Sequence, residues 1–221
     1  MKKVAINGMG RIGRASLKVI LDSKDLALVA VNDILPIDNL AYLLKYDTTY
    51  GPYRRDVSFS EDSLIVDGQK IRYHRERNPK DLPWKEYDID VVIESTGVFT
   101  QSDDAALHLQ AGARTVVISA PTKSQDAPTV VHGVNSSVGD SHIFSCASCT
   151  TNNISPIVEI LGRTVGIQKA IMTTIHAYTA SQSLMDSASP KNLRMGRAAA
   201  DNLVPTSTGA AIATTKALPE F

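Results

Sequence analysis

The 221-residue chain balances 23 Lys and Arg residues against 23 Asp and Glu residues, so its formal net charge is zero. This balance gives no electrostatic reason to expect a nucleic acid or an anionic membrane as the main partner, and the sequence shows no basic stripe. No apolar run is long enough to span a bilayer, and residues 1–10 lack the apolar centre of a secretory signal. Because two cysteines are too few for a disulfide framework, we expect a cytoplasmic protein.

Short apolar segments alternate with helical patterns in the first part of the chain. Strands are predicted over 3–7, 26–33, 90–96, 114–120 and 142–146. Helices are predicted over 10–23, 37–46 and 102–112, the last with a capping Ser or Asp and a stopping Gly. This alternation predicts a parallel α/β sheet with crossover helices. Within 56–73, an Asp-Gly pair between two β-type runs predicts an antiparallel hairpin inserted in the sheet.

The pattern changes from residue 149 onward. A helix that ends at a glycine is predicted over 150–166, followed by a long β-rich strand over 168–180. A polar stretch marked by Gly, Ser and Pro leads to a last predicted helix over 209–221. This part of the sequence contains one long strand and no second strand to pair with it.

A glycine pattern lies between the first predicted strand and the first predicted helix. Gly8, Gly10 and Gly13 are spaced Gly-x-Gly-x-x-Gly, and Asp33 ends the second predicted strand. Such glycines allow a tight turn close to a pyrophosphate, and the free N–H groups at the helix start attract its charge. The Asp accepts hydrogen bonds from the adenosine ribose and disfavours a 2′-phosphate. The pattern therefore predicts an NAD site, against the simpler interpretation of a glycine-rich turn.

Both cysteines lie in the segment 145–153, SCASCTTNN. Cys149 stands where a predicted strand gives way to a predicted helix, and a helix N-terminus stabilises the nucleophilic thiolate. Ser148 and Thr150 flank it with donors that suit an oxyanion. The alternative is a small buried residue, because free cysteines are often buried. A redox pair of Cys146 with Cys149 is a further alternative, whereas no metal site is expected, since the sequence has no second cysteine pair.

His176 lies near the end of the predicted strand 168–180 and is a candidate base for Cys149. A nucleophile and its base need to be neighbours in space and not in sequence, although a lone histidine on a strand is usually structural. Hydroxyl side chains, a helix-start glycine and arginines crowd the same part of the chain and suit phosphate binding. The candidates include Thr179, Thr208, Gly209 and Arg194. Each is also explained by a helix cap or a solvated surface.

A series of motifs, taken in chain order, resembles one family over the whole chain. These motifs are AINGMGRIGR, VND, LLKYDTTYG, ESTGVF, VISAPTK, GVN, ASCTTNN, TTIHAYTASQ and PTSTGAA. Together they resemble the phosphorylating glyceraldehyde-3-phosphate dehydrogenases. The resemblance implies an α/β chain, with a Rossmann-type doubly wound, mainly parallel sheet over 1–148 that binds NAD. It implies the first part of an α+β catalytic domain over 149–221, and hence the N-terminal two-thirds of such an enzyme.

The resemblance also implies a mechanism and the residues that carry it. Cys149 attacks the aldehyde of glyceraldehyde 3-phosphate, His176 is its base, and inorganic phosphate releases 1,3-bisphosphoglycerate from the resulting thioester. Contacts to NAD are implied for Arg11, Ile12, Asp33, Arg77 and Ser119. Contacts to substrate or inorganic phosphate are implied for Ser148, Thr150, Thr179, Thr208 and Gly209. Relatives are homotetramers, which implies a homotetramer for the full-length protein.

Two positions depart from the family pattern. Many relatives carry a cysteine where this chain has Asn153, and the second cysteine here is Cys146, which we expect to be a packing residue. The loop 186–194 has Ala188 where NAD-specific relatives often have proline, which leaves NADP open as a secondary cofactor. Two other functions stay open. One is erythrose-4-phosphate dehydrogenase, which departs from HAYTASQ after the histidine, and the other is an inactive NAD-binding fragment.

Overall fold

The computed structural model describes residues 1–136, 139–189 and 192–220. Its strands are β1 (Lys2–Asn7), β2 (Leu26–Asn32), β3 (Val57–Phe59), β4 (Ser63–Val66), β5 (Gln69–His74), β6 (Val91–Glu94), β7 (Thr115–Ile118) and β8 (Ile143–Ser145). Its α-helices are α1 (Arg11–Asp22), α2 (Ile37–Lys45), α3 (Trp84–Tyr87), α4 (Ser102–Gln110), α5 (Cys149–Thr164) and α6 (Ala210–Ala217). Short 3₁₀ turns lie at Pro79–Asp81 and Leu193–Gly196.

The described strands form one sheet in the order β3-β4-β5-β2-β1-β6-β7-β8. The six strands from β5 to β8 in this order run parallel, whereas β3 and β4 are antiparallel additions at one edge. The chain runs from β1 to β2, continues to the edge strand β3, comes back through β4 to place β5 beside β2, and then places β6 on the other side of β1. The predicted Rossmann-type doubly wound sheet is confirmed. Such sheets bind ligands outside the carboxyl ends of their strands at the reversal point, here between β1 and β6.

The hairpin predicted within 56–73 is also present. Strands β4 and β5 pair antiparallel and are joined by Asp67 and Gly68. These two residues have φ values of 48° and 79°, the positive angles that a two-residue turn needs to match the twist of its strands. The Asp-Gly pair therefore predicted the turn correctly.

Helices cover both faces of the sheet, so its central strands are apolar on both sides. Along β1, Val4 and Ile6 enter one buried cluster with side chains of α1 and α2. Ala5, which points to the opposite face, enters a second cluster with Trp84 of α3. Burying each large apolar side chain contributes about 1.5–3 kcal/mol. This two-sided burial explains why the strands read as short apolar runs rather than as alternating patterns.

The long strand predicted over 168–180 was wrong. Residues 168–180 contain no helix or strand, and no other segment of the described residues pairs with them. Ile171 and Ile175 are 100% and 95% exposed. A strand is stabilised by backbone hydrogen bonds to a neighbour, so a β-type pattern forms no strand where that neighbour is lacking.

The cap predicted for the helix at 102–112 was also wrong. Helix α4 begins at Ser102, its N-cap is Gln101, and no side chain caps it. The Ser102 hydroxyl instead donates a hydrogen bond to Asp126 at 2.8 Å, and its backbone N–H bonds the Ser124 hydroxyl. A neighbouring loop therefore satisfies this helix end in place of a local cap.

Helices α5 and α6 follow the sheet and pack against each other. Ala217 of α6 also joins a small buried cluster with Val131 and Ala147. The helices predicted over 150–166 and 209–221 are present, although Phe221 lies outside the described residues. Within the part of the chain that the structure describes, no helix has the length and apolar character needed to cross a membrane. The division of the chain at 148/149 stays a prediction.

Candidate active site and cofactor cleft

A cleft of about 440 Å³ opens at the carboxyl ends of β1 and β6. Four residues predicted from the glycine pattern and the family resemblance line it: Gly8, Gly10, Asp33 and Arg77. The cleft thus lies at the reversal point of the strand order, where this class of sheet binds ligands.

The three glycines have three different reasons to be glycine. Gly8 has a φ of +92°, and a Cβ built there would lie 2.6 Å from the backbone nitrogen of Thr96. A Cβ on Gly13 would lie 2.0 Å from the Gly8 carbonyl oxygen, so helix α1 packs directly on the turn. A Cβ on Gly10 would meet no protein atom within 4 Å. Because Gly10 lines the cleft, the space it leaves is a cradle for a ligand at the start of α1, and the residues present fit a dinucleotide pyrophosphate.

Asp33 ties the glycine turn to the next strand. One carboxylate oxygen accepts the Met9 backbone N–H at 2.6 Å, and the other accepts that of Leu35 at 2.9 Å. A carboxylate offers about four acceptor positions, so these two bonds leave others free. Asp33 therefore both shapes the turn and presents an acceptor to the cleft.

Besides Gly13, three other predicted cofactor residues are not among the residues that line the cleft. Arg11 opens helix α1, and its guanidinium is 2.6 Å from the Asp47 carboxylate and stacks on the Tyr50 ring. Ile12 follows it and is half-exposed. Ser119 follows β7 directly, and its backbone N–H donates to the Glu94 carbonyl. Their roles stay predictions.

Cys149 is the first residue of helix α5, as the sequence predicted. The chain leaves β8 through Ala147, whose φ of 62° makes a sharp turn, and Ser148 then caps the helix. The Ser148 hydroxyl oxygen accepts the Thr151 backbone N–H at 3.0 Å. This turn leaves Cys149 exposed at the positive end of the helix dipole, where a thiolate is stabilised.

His176 meets Cys149 across 27 positions of sequence, with 3.2 Å between the cysteine Sγ and the histidine Nε2. The histidine Nδ1 lies 2.7 Å from the carbonyl oxygen of Ala177. Since a carbonyl only accepts, Nδ1 carries a hydrogen and Nε2 is left to exchange a proton with the thiol. The pair has the arrangement of a nucleophile and its base.

Each partner shifts the pKa of the other. The hydrogen bond from His176 lowers the pKa of the Cys149 thiol, partial burial opposes it, and the Thr150 backbone and hydroxyl add to the lowering. The hydrogen bond to Cys149 raises the pKa of His176, and so does its bond to the Ala177 carbonyl. Both shifts favour a thiolate beside an imidazolium.

A second cleft, of about 300 Å³, surrounds this pair. Thr150, Asn153 and Thr174 line it. Other candidates for phosphate binding lie outside its lining. The Thr179 hydroxyl is hydrogen-bonded to the Ser181 hydroxyl, and the Thr208 hydroxyl accepts a hydrogen bond from the Ala210 backbone N–H. Gly209 is the N-cap of α6, and Arg194 lies in the 3₁₀ turn Leu193–Gly196. In the loop 186–194, Pro190 and Lys191 lie outside the described residues.

The two cysteines have different surroundings. Both are free thiols, and Cys146 is partly buried whereas Cys149 is exposed. Burial raises the pKa of the Cys146 thiol, the opposite of the shift at Cys149. These surroundings agree with Cys146 as a packing residue, which stays a prediction.

Two family models match the chain. One, described as glyceraldehyde 3-phosphate dehydrogenase, NAD binding domain, covers residues 2–102. The other, described as glyceraldehyde 3-phosphate dehydrogenase, C-terminal domain, covers residues 148–221. The chain belongs to the glyceraldehyde-3-phosphate dehydrogenase family. The cleft at β1 and β6 thus lies in the family's NAD-binding domain, and the pair of Cys149 and His176 lies in its C-terminal domain.

Curated relatives in this family cover the chain from end to end. Glyceraldehyde-3-phosphate dehydrogenase 1 of Nostoc sp. is 48% identical over 223 residues, which is 99% of this chain and 65% of that protein. Glyceraldehyde-3-phosphate dehydrogenase 1 of Kluyveromyces lactis is 49% identical over 100% of this chain and 67% of its own length. The Streptomyces coelicolor protein is 48% identical over 99% and 66%. The chain therefore spans about two thirds of the length of these family members.

Sequence reasoning missed a set of buried polar residues behind the cofactor cleft of this family member. They are Asn7, Asn32, Glu94 and His108, all 3% exposed or less. The available signal was that β1, β2 and β6 each end in Asn or Glu directly after a run of apolar residues. A polar residue that ends a buried parallel strand is typical of the functional edge of the sheet.

Proposed function

We propose that the complete protein is an NAD-dependent phosphorylating aldehyde dehydrogenase that converts D-glyceraldehyde 3-phosphate to 1,3-bisphosphoglycerate. The observation that carries the proposal is the 3.2 Å contact between Cys149 Sγ and His176 Nε2 at the start of α5. Oxidation of an aldehyde to an acyl phosphate needs a nucleophile that forms a thioester and a base that moves one proton. The pair supplies both groups.

The chemistry begins at the cysteine sulfur. The Cys149 thiolate attacks the aldehyde carbon, and the new alkoxide takes a proton from His176 to give a hemithioacetal. His176 then removes the hydroxyl proton while hydride leaves the same carbon, which leaves a thioester on Cys149. Inorganic phosphate attacks the thioester carbon, the C–S bond breaks, and the thiolate returns to its place beside the imidazolium. The proton of the phosphate goes to solvent.

NAD, when bound in the cleft at β1 and β6, supplies the acceptor for the hydride. The start of α1 would bind its pyrophosphate at Gly10, and Asp33 would accept a hydrogen bond from the adenosine ribose. Arg77 lines the same cleft and offers a positive charge to the cofactor. A carboxylate at position 33 repels a 2′-phosphate, so NAD is the favoured cofactor and NADP a secondary one.

The substrate and inorganic phosphate would bind beside the cysteine. Thr150 lines its cleft, and the start of α5 offers N–H groups to a developing oxyanion. Ser148, Thr179, Thr208, Gly209 and Arg194 are the further candidates for phosphate contacts. By its family, the full-length protein is proposed to be a cytoplasmic homotetramer.

A single-turnover experiment tests the function on this chain. Mixed with NAD and glyceraldehyde 3-phosphate without inorganic phosphate, the chain should form NADH in a burst equal to its active sites. Added phosphate should then restore turnover, and Cys149→Ser should abolish the burst while keeping NAD binding. A faster burst with erythrose 4-phosphate would favour erythrose-4-phosphate dehydrogenase instead. NAD binding without any burst would identify this chain as an inactive NAD-binding fragment.

A further inference from the structure

A buried carboxylate lies behind the wall of the cofactor cleft and takes no part in the chemistry proposed above. Glu94 ends β6 and is 1% exposed. Its carboxylate accepts hydrogen bonds from the Asn7 amide at 2.6 Å, the Thr96 backbone N–H at 2.8 Å and the Thr96 hydroxyl. His108 Nε2 lies 3.0 Å from the same carboxylate. A buried carboxylate is costly unless hydrogen-bond donors surround it. Here the protein itself supplies the donors for both oxygens of Glu94.

The side chains behind Glu94 fix which nitrogen of His108 carries a hydrogen. Trp84 Nε1, which only donates, lies 2.9 Å from His108 Nδ1, and both side chains are fully buried. Nδ1 is therefore the acceptor, and Nε2 carries the hydrogen that it donates to Glu94. The chain of bonds from Trp84 through His108 to Glu94 thus has one direction.

The residues in front of Glu94 form the cleft. Asn7 and Thr96, which donate to its carboxylate, both line the space where the dinucleotide would lie. The turns that carry them also touch, because the Ser95 hydroxyl donates to the Gly8 carbonyl at 2.6 Å. Glu94 therefore connects the end of β1 to the turn after β6 at the reversal point of the sheet.

We propose that Glu94 is a positioning residue for the dinucleotide. Its carboxylate holds Asn7 and Thr96 at the spacing that the cofactor requires, and His108 with Trp84 holds the carboxylate. The inference rests on the proposed function, since it takes NAD as the ligand of this cleft.

Glu94→Gln is the sharpest perturbation, because glutamine keeps the shape and replaces one acceptor by a donor. If the glutamine amide nitrogen faces Thr96, two hydrogen-bond donors meet, because the backbone N–H of Thr96 cannot become an acceptor. If it faces the other side, it opposes the amide of Asn7 and Nε2–H of His108. The Asn7 amide is also held, since its oxygen accepts from Asn32 at 2.7 Å. Either placement leaves a donor without an acceptor or moves the wall of the cleft.

The measurement is the NAD dissociation constant by titration calorimetry, alongside the melting temperature. Glu94→Gln should weaken NAD binding by roughly 5- to 150-fold, the range for one buried polar group that loses its partner. Asp90→Asn is the matched control, a carboxylate-to-amide change just before β6, where Asp90 accepts the Lys3 backbone N–H at 2.9 Å. It lies at the opposite end of β6 from the cleft, so it should lower the melting temperature and leave NAD affinity within about twofold.

A double variant separates positioning from a general loss of structure. In Glu94→Gln with Trp84→Phe, the Trp84 N–H no longer holds His108 in one tautomer, so Nε2 can accept from the new amide. This double variant should bind NAD more tightly than Glu94→Gln alone, although loss of the tryptophan lowers its melting temperature. The proposal is overturned if Glu94→Gln and Trp84→Phe reduce NAD affinity additively in the double variant. So would equal effects of Glu94→Gln and Asp90→Asn on NAD binding.

If Glu94→Gln does not fold, two variants of His108 replace it, because His108 is not among the residues that line the cleft. His108→Gln keeps a donor for Glu94 and should keep NAD affinity within about twofold, whereas His108→Leu removes it and should weaken binding. Equal NAD affinity in the two variants would overturn the proposal. Failure of the proposed function would look different, since the unmodified chain itself would then either not bind NAD or bind it without forming a burst of NADH.

Discussion

Replacing Gly10 by alanine should weaken NAD binding while leaving the fold almost unchanged. Gly10 has a φ of −67°, which lies outside the positive range that favours glycine. A Cβ there meets no protein atom within 4 Å, yet the residue lines the cofactor cleft. No protein atom therefore requires glycine at this position, and we expect that the ligand does.

These contacts set the expected change in stability and the expected change in NAD affinity. Alanine is a poorer N-cap than glycine, so Gly10→Ala should lower the free energy of unfolding by no more than about 1 kcal/mol. A methyl group forced against a closely packed ligand costs about 1–3 kcal/mol, which corresponds to a roughly 5- to 150-fold higher dissociation constant for NAD.

Calorimetric titration with NAD and urea unfolding of the same samples measure the two quantities. Gly8→Ala is the contrasting variant, because its φ is +92° and its Cβ would lie 2.6 Å from the Thr96 nitrogen. Backbone strain and overpacking together predict a loss of about 2–6 kcal/mol of stability there. The reasoning is refuted if Gly10→Ala binds NAD as tightly as the unmodified chain, or if it loses as much stability as Gly8→Ala.

Three further changes test the catalytic pair and its surroundings. His176→Asn removes the hydrogen bond that lowers the pKa of Cys149. Alkylation of Cys149 by iodoacetamide should then require a higher pH, and an unchanged pH profile would contradict the pairing. Ser148→Ala removes the side-chain cap of α5 and should cost about 1 kcal/mol, seen as a lower melting temperature that Ser148→Asn restores. The backbone N–H of Tyr50 is the largest of the causes that lower the pKa of Asp47 to about 2, from a usual 3.8. Since the folded pKa is the lower one, this stability is present above pH 4 and is lost as the pH falls towards about 2. Asp47→Asn should therefore flatten the decline of the urea midpoint across that range, and an equal decline would rule out this contribution.

Periodicity predicted the sheet because each of its strands finds its partners within the chain. The segments 3–7, 26–33, 90–96 and 114–120 were located within three residues at each end. Two-sided burial makes such strands continuously apolar, and turn residues mark their ends. The segment 168–180 has a similar β-type pattern, but no other segment that the structure describes pairs with it, and a sequence pattern alone does not reveal whether a strand finds a neighbour.

The residues of the candidate site also differ in whether a local sequence pattern could predict them. Asp33 and Cys149 could be predicted because each follows a local rule, a strand end or a helix start. Glu94 shares the strand-end signal, but its contacts with Asn7 and His108 exist only where the ends of β1 and β6 meet helix α4. Buried polar networks depend on contacts between distant segments, and a single sequence shows only their separate members.

The two halves of the site are supported differently. The cofactor cleft is held by a sheet whose partners are present, whereas His176 is anchored through the carbonyl of its own neighbour, Ala177. Ile171 and Ile175, four positions apart, share a face when the segment is extended, and His176 points to the opposite face. The apolar surface that needs a cover is therefore not the surface that meets Cys149. A second layer packed on the isoleucine face would therefore remove apolar surface from water without displacing the histidine from the sulfur.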